Sequence, residues 1–225
     1  CHDRFVRLVH GAGSRGEDRW RELREATEFA YVLGGGGGLE AYALVRHQAD
    51  PDDWRYVLAV EDWAALTPPG LEAVLGFVGR HGTLAKAAVL AGPAVRLLGG
   101  HLPEQDWRLT TDFSWMARGL DFSAAIAARP FPAGIGAELT IALEDPLLPE
   151  IQGPWRVTVA GGKGLAEPAG EAAVRLRPRA VGPLLMGSAG ADTLILGGMA
   201  DGTPEDLALL SGVFAAPPPV FLDFF

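Results

Sequence analysis

The residues with the widest chemical reach in this chain are its five histidines, His2, His10, His47, His81 and His101. No two of them stand four apart, the spacing that puts a pair of imidazoles on one helical face as metal ligands. There is no His-Glu-x-x-His and no Gly-x-Ser-x-Gly run, and the "GSAG" at 187–190 lacks the flanking strand of a nucleophile elbow. Surface or core roles therefore suit the histidines better than ligation, and no metal is expected. The acids Asp50, Asp52 and Asp53 lack the glycine and closing glutamate of a calcium loop and read as a solvated turn. Glu144 and Asp145 precede Pro146, a turn-initiating arrangement rather than a catalytic pair. "GGGGG" at 34–38 is followed by a strand, not by the helix start that a phosphate cradle needs, so it reads as a hairpin loop. "GGKGLAEPAG" at 161–170 reads the same way, with Lys163 at the tip.

One group remains. The chain closes on "PPPVFLDFF", three prolines followed by an aromatic run with a single charge. Disordered tails have the opposite composition. The prolines favour an extended approach, and Val220–Phe225 reads as a short β-rich segment held against protein. Its terminal carboxylate is then expected at a defined place.

The elements that would position these groups follow from periodicity. Two short helices open the chain, at 3–10 and about 17–28. Strands are expected at 29–33, 39–47 and 55–66, then a helix that Thr67 caps with Pro68 at its first position. A strand at 86–92, a short helix at "PAVRLLGG" and an extended stretch at 106–120 complete a first α+β unit. Asp121 caps a helix through "FSAAIAAR". Strands at 137–144, 155–161 and 171–177 alternate apolar and polar residues, so they should share one sheet with one wet face. Helices near 178–187 and 190–196 follow, and a last one starts at Thr203–Pro204. The division falls at 118, giving units of 1–118 and 119–225.

Composition limits the partners. The net charge of −9 excludes a basic footprint for nucleic acid. No apolar run reaches the ~18 residues of a membrane span. The single cysteine, Cys1, allows no disulfide within the chain and no cysteine zinc site, which points to a reducing cytoplasm. The opening, which lacks Met and is already helical in pattern, reads as the middle of a longer protein.

Three stretches together resemble one family. "WMARGLDFSAAIAARPFP" (115–132), "EDPLLPEIQGPWRVTV" (144–159) and "FAAPPPVFLDFF" (214–225) are similar to segments of GNAT-superfamily N-acetyltransferases of the enhanced intracellular survival type. The resemblance implies an α+β fold in which a GNAT-like mixed-sheet domain, 1–118, is followed by a sterol-carrier-protein-like α+β domain, 119–225. It implies a preceding N-terminal GNAT domain that holds acetyl-CoA, with no acetyl-CoA site and no activity in this chain alone. It further implies that the C-terminus returns to that active site, where the α-carboxylate of Phe225 acts as general base on an amine substrate. A dry aromatic setting raises a carboxylate's pKa towards a useful value. Phe224 and Trp115 would line the substrate pocket, Trp115 by stacking on a cationic amine. The intact protein is expected to be a homo-oligomer. Two other readings remain: a sterol-carrier-like lipid-binding module, which needs a cavity of several hundred Å³ inside 119–225, and a purely structural or oligomerisation fragment.

Overall fold

A computed structural model describes residues 1–35, 37–92, 98, 100–102, 107–110, 115–221 and 223. The chain divides into two compact units, Cys1–Thr110 together with Val220–Phe225, and Thr111–Pro219. The chain end is thus grouped with the first unit although it follows the second in sequence.

In the first unit, helix α1 (His2–Phe5) runs into a 3-10 turn (Val6–Leu8), and α2 (Glu17–Ala26) follows with Glu17 and Asp18 in its first turn. Acids there complement the positive end of the helix dipole. Strands β1 (Phe29–Gly35), β2 (Gly38–Asp50) and β3 (Asp53–Ala65) form an antiparallel meander. The turn between β2 and β3 is closed by Asp50, whose carboxylate accepts from the Asp52 N–H at 2.9 Å. Helix α3 (Pro68–Arg80) then crosses over to β4 (Ala85–Leu90), which pairs parallel with β3, giving the order β1-β2-β3-β4. Ala41, Tyr42, Ala43 and Val45 of β2 and Leu58, Val60, Trp63 and Ala64 of β3 form the core with Val74 and Phe5. Strand β1 is an edge: Phe29, Tyr31 and Val32 stay exposed.

In the second unit, α4 (Phe122–Ala128) starts at Asp121, whose side chain accepts from the Ala124 N–H at 2.9 Å. Strands β5 (Ala137–Leu143), β6 (Gly153–Ala160), β7 (Lys163–Pro168), β8 (Val174–Leu176) and β9 (Ala200–Gly202) form a single sheet in the order β7-β6-β5-β8-β9. Only the β5–β8 pair is parallel. The expected alternation is present: Leu139, Ile141 and Leu143, Val157 and Val159, and Val174 and Leu176 are buried. They meet helices α5 (Pro178–Met186), α6 (Ala191–Leu196) and α7 (Pro204–Val213), with Leu184, Leu194, Leu207, Leu210 and Val213 in the same core.

Three expectations change. The extended stretch 107–110 and 115–119 forms no strand, and most of "PAVRLLGG" lies outside the described residues. Strands β7 and β9 join the sheet although their sequences, "KGLAEP" and "ADG", carry almost no apolar alternation. The described part of the tail, 215–221, runs without strand pairing. Three consecutive prolines have no N–H to donate to a ladder.

Candidate functional site

Among the described residues of the first unit, a dense polar cluster forms around Asp223. Arg15, in the loop before α2, is its centre. The side chain is 3% exposed, so its charge must be met by protein. Its Nη1 and Nη2 donate to Asp62 at 2.6 and 3.1 Å, and its Nε donates to both Asp223 oxygens at 2.9 and 2.8 Å. Asp62 lies on β3 and also accepts from the Tyr42 hydroxyl at 2.6 Å. Asp223 accepts a further hydrogen bond from Arg19 Nε of α2 at 2.8 Å. Trp20 stacks on Arg15, with the guanidinium carbon 5.1 Å from the ring centroid. His2 lies 3.3 Å from Arg15 Nη1 and 3.4 Å from the Gly13 carbonyl. A neutral ring with Nε2–H donating to Gly13 leaves Nδ1 free to accept from Arg15. Upstream, the Val220 N–H donates to the His10 carbonyl at 2.8 Å.

The charges tune one another. Burial pushes the Asp223 carboxyl up, but the hydrogen bonds and charges of Arg15 and Arg19 outweigh it, leaving the group below the usual carboxylate range. Burial disfavours the Arg15 cation, but its bonds to Asp62 and Asp223 more than restore it, so it stays charged. Burial, then the Arg15 charge, lowers His2, which is therefore neutral near pH 7. Burial and the Asp62 charge push the Tyr42 hydroxyl up, so it remains a donor.

Of the catalytic and substrate-binding residues singled out from the sequence, Trp115 is the one that the structure describes. Phe224 and Phe225 lie outside the described residues. Trp115 belongs to the second unit, on the irregular segment before α4, and is 41% exposed. That segment is placed by two contacts invisible in the sequence. Arg118 Nη2 donates to both oxygens of buried Asp145 at 2.7 Å. Gly182 of α5 lies so close that an added Cβ would overlap the Ala117 carbonyl. Asp145 also accepts from the Leu147 and Leu148 N–H groups, as its turn-initiating spacing implied.

A second aromatic cluster joins β1, β2, β3 and α3. Tyr56 and His81 share a 2.6 Å hydrogen bond, and His47 packs 4.3 Å from Tyr56 between ring centroids. Among the described residues no group of three His, Cys, Asp or Glu is placed to hold a metal. No described helix is long and apolar enough to cross a membrane. Buried side chains of the sheet and its helices make up the second unit's core, with a cavity of about 210 Å³ beside Leu184 and Phe214. The groove of about 810 Å³ on that unit is open, with Glu144, Gln152, Glu171 and Arg175 among its lining residues, and does not suit a lipid.

Each unit thus has its own mixed α+β sheet, the first with a strand–helix–strand parallel crossover. Residues 11–118 match the acetyltransferase (GNAT) domain family and residues 122–222 match the sterol carrier protein domain. The chain therefore joins a member of the GNAT acetyltransferase-domain family to a member of the sterol-carrier-protein-domain family. Among solved structures it is similar to a GCN5-related N-acetyltransferase from Anabaena variabilis, at 24% identity and TM-score 0.91 over 100% of this chain and 58% of that one. It is also similar to a GCN5-related N-acetyltransferase from Kribbella flavida, at 26% identity and TM-score 0.71 over 99% and 58% of the two chains. Eis1 from Mycobacterium abscessus is similar at 20% identity and TM-score 0.66, over 92% and 54%. The chain thus spans between 54% and 58% of the length of these three proteins. Comparison with curated proteins returns no match.

GNAT domains use acetyl-CoA, and the N-terminus of a helix following a strand is where a pyrophosphate would be cradled. The start of α3 does not fit one. Pro68 and Pro69 have no N–H, the Gly70 N–H donates to Thr67 Oγ1 at 3.1 Å, and the Leu71 N–H donates to the Thr67 carbonyl at 3.0 Å. The Thr67 hydroxyl in turn donates to the Glu40 carboxylate at 3.1 Å, so an anion would meet a negative charge.

Proposed function

We propose that this chain supplies the central and C-terminal parts of an acetyl-CoA-dependent N-acetyltransferase acting on amines. In this reading residues 1–118 are a GNAT-like domain without an acetyl-CoA site. Residues 119–225 are a sterol-carrier-like domain whose tail serves the active site. The N-acetyltransferase titles of the similar, longer proteins support the reaction class. The blocked helix start of α3 supports an acetyl-CoA site elsewhere, in a GNAT domain preceding Cys1. The acceptor is a small-molecule amine, and the intact protein is a homo-oligomer.

The general base is the α-carboxylate of Phe225, with Phe224 and Trp115 contributing to the substrate pocket. It takes the proton that the amine loses as its nitrogen attacks the thioester. The observation that carries this is the treatment of the chain end. Two residues before the terminus, a buried arginine and a second arginine hold Asp223. A purely decorative tail does not need such a seat.

The test is a short C-terminal extension of the full-length protein. It turns the terminal carboxylate into an amide and carries the new charge away. A general base contributes ~100- to 10,000-fold in rate, so turnover should fall on that scale with the fold unchanged by circular dichroism. A fully active extended enzyme would remove the assignment.

A further inference from the structure

We propose that His47 and His81 form a proton-operated latch, one that fastens the end of helix α3 and the start of strand β4 to the sheet and lets them go when both rings are charged. The acetyl-transfer reading does not use this cluster, and the latch stands whether or not that reading does.

The starting observation is a closed circle of rings. Centroids lie 5.3 Å apart for Phe29 and His47, 6.4 Å for Phe29 and Tyr31, 4.3 Å for Tyr31 and Phe77, 4.8 Å for Phe77 and His81, and 5.8 Å for His81 and His47. Tyr56 packs on both histidines, at 4.3 and 6.1 Å. These residues come from β1, β2, β3, α3 and the cap of α3, so the circle is where the crossover helix is fastened to the sheet. Apolar rings solvate charge poorly, and two like charges this close oppose one another.

The two histidines are furnished differently. The His47 N–H donates to Glu28 Oε2 at 2.9 Å, and the same oxygen lies 3.5 Å from its Nδ1. A proton on this ring therefore has a carboxylate beside it. Its Nε2 is buried and meets no hydrogen-bond partner among the described residues. The His81 Nδ1 lies 2.6 Å from the Tyr56 hydroxyl, which donates to it when the neutral ring carries its hydrogen on Nε2. A proton on Nδ1 takes up that lone pair, and the hydroxyl loses its acceptor.

The charges around the pair do not relieve the conflict. Glu28 comes from the segment before β1, Tyr31 from β1 and Tyr56 from β3. Lys86 of β4 is paired with Asp50 of β2, and Arg80, next to His81, is exposed. The C-terminal end of α3 by itself favours a cation. Burial, and then His47, outweigh it and hold His81 below its ordinary 6.5.

His81 is the ring that can leave. His47 sits within β2, opposite Leu58 of β3. His81 caps a helix, and its carbonyl accepts from the Leu84 and Ala85 N–H groups at 2.9 and 2.7 Å. The Leu84 carbonyl in turn accepts from the Tyr56 N–H at 3.3 Å, where β3 and β4 begin to pair. Releasing His81 thus loosens the turn and the entry to β4, which is an edge of the sheet among the described residues. A ring lowered in the folded state binds its proton better once released. The latch is therefore shut above 6.5 and opens as the pH falls below it.

The experiment follows backbone hydrogen exchange of the full-length protein by mass spectrometry from about pH 8 to 5, each rate divided by the intrinsic rate at that pH. Wild-type, His81→Gln and His47→Gln chains are compared, and exchange at the histidine C2 positions gives the midpoint of each ring. In wild type, protection of residues 81–88 should fall by up to about tenfold per pH unit below the His81 midpoint, the slope of one proton taken up on opening. Protection in the middle of β2 should stay. In His81→Gln, whose amide is neutral and can still meet the Tyr56 hydroxyl, the slope should vanish. In His47→Gln the His81 midpoint should rise and the slope should shrink, because the opposing charge is gone. Wild-type protection that does not change with pH overturns the latch. So does a slope that survives in His81→Gln, or a His81 midpoint that His47→Gln leaves unmoved. If His81→Gln is unprotected at every pH, the His47→Gln midpoint decides.

Discussion

Among the described residues each unit buries an arginine side chain, Arg15 in the first and Arg129 in the second, and the protein treats them in opposite ways. Arg15 faces carboxylates, Asp62 on one edge and Asp223 on the other. Arg129 meets no carboxylate among the described residues. Its Nε donates to the Leu185 carbonyl at 2.8 Å and its Nη2 to the Phe214 carbonyl at 2.7 Å, and its guanidinium carbon lies 4.6 and 5.2 Å from the ring centroids of Phe131 and Phe214. Burial accordingly lowers Arg129 below the ordinary arginine value, whereas the ion pairs hold Arg15 above it. The difference separates two tasks. Arg129 ties carbonyls near the ends of α5 and α7 together, so it belongs to the scaffold of one unit. Arg15 binds a strand on one side and Asp223 on the other, so half of its bonding depends on a segment 208 positions away in sequence.

The comparison can be broken by truncating each arginine. Arg15→Met leaves Asp62 buried without its cation, and breaking a buried pair in this way costs about 3–5 kcal/mol. Arg129→Met leaves only carbonyls unsatisfied and lets an apolar chain lie against two phenyl rings, at about 2–3 kcal/mol. Denaturant unfolding should show Arg15→Met as the more damaging. Equal losses would mean that the two sites are electrostatically alike.

Gly182→Ala sharpens the same contrast within the second unit. The new methyl must push Ala117 away, at about 1–3 kcal/mol for overpacking. The thermal midpoint should fall, and a crystal structure should show residues 115–119, with Trp115, moved off α5. An unmoved segment would show that the close approach is not needed.

The smallest effects are pH-dependent. Burial and the Arg15 charge lower His2 from 6.5, so the unfolded chain binds the proton better. Stability is then greatest above 6.5 and is lost as the pH falls below it. His81, lowered by burial and by His47, acts in the same direction. Denaturation midpoints should fall between pH 7 and 5, and His2→Gln should flatten part of that slope while leaving the part due to His81. Asp223 lies below its ordinary 3.8, so its contribution is complete at neutral pH and disappears only below about pH 4. An undiminished slope in His2→Gln would show that this ring is not buried neutral.

Local chemistry made much of this architecture legible in advance. Thr67 before Pro68, Asp121 before an alanine-rich run and Thr203 before Pro204 each announce a helix start, because a capping oxygen and a proline act within one turn. The alternation along β5, β6 and β8 announces a half-covered sheet, because a strand's side chains change face at every residue. What could not be read locally depends on partners far away. β7 and β9 are strands only because a neighbouring edge offers hydrogen bonds, which their glycines and proline do not advertise.

The candidate site divides in the same way. The sequence by itself marked the chain end as unusual, since an apolar aromatic terminus after three prolines needs somewhere to go. It could not show that Arg15 and Arg19 receive Asp223, or that Asp62 and Tyr42 orient Arg15. Those charges look like ordinary surface residues until the sheet places Asp62 beneath the loop that carries Arg15. A buried ion pair is defined by burial and distance, and both exist only once residues more than 200 positions apart have met in the folded protein.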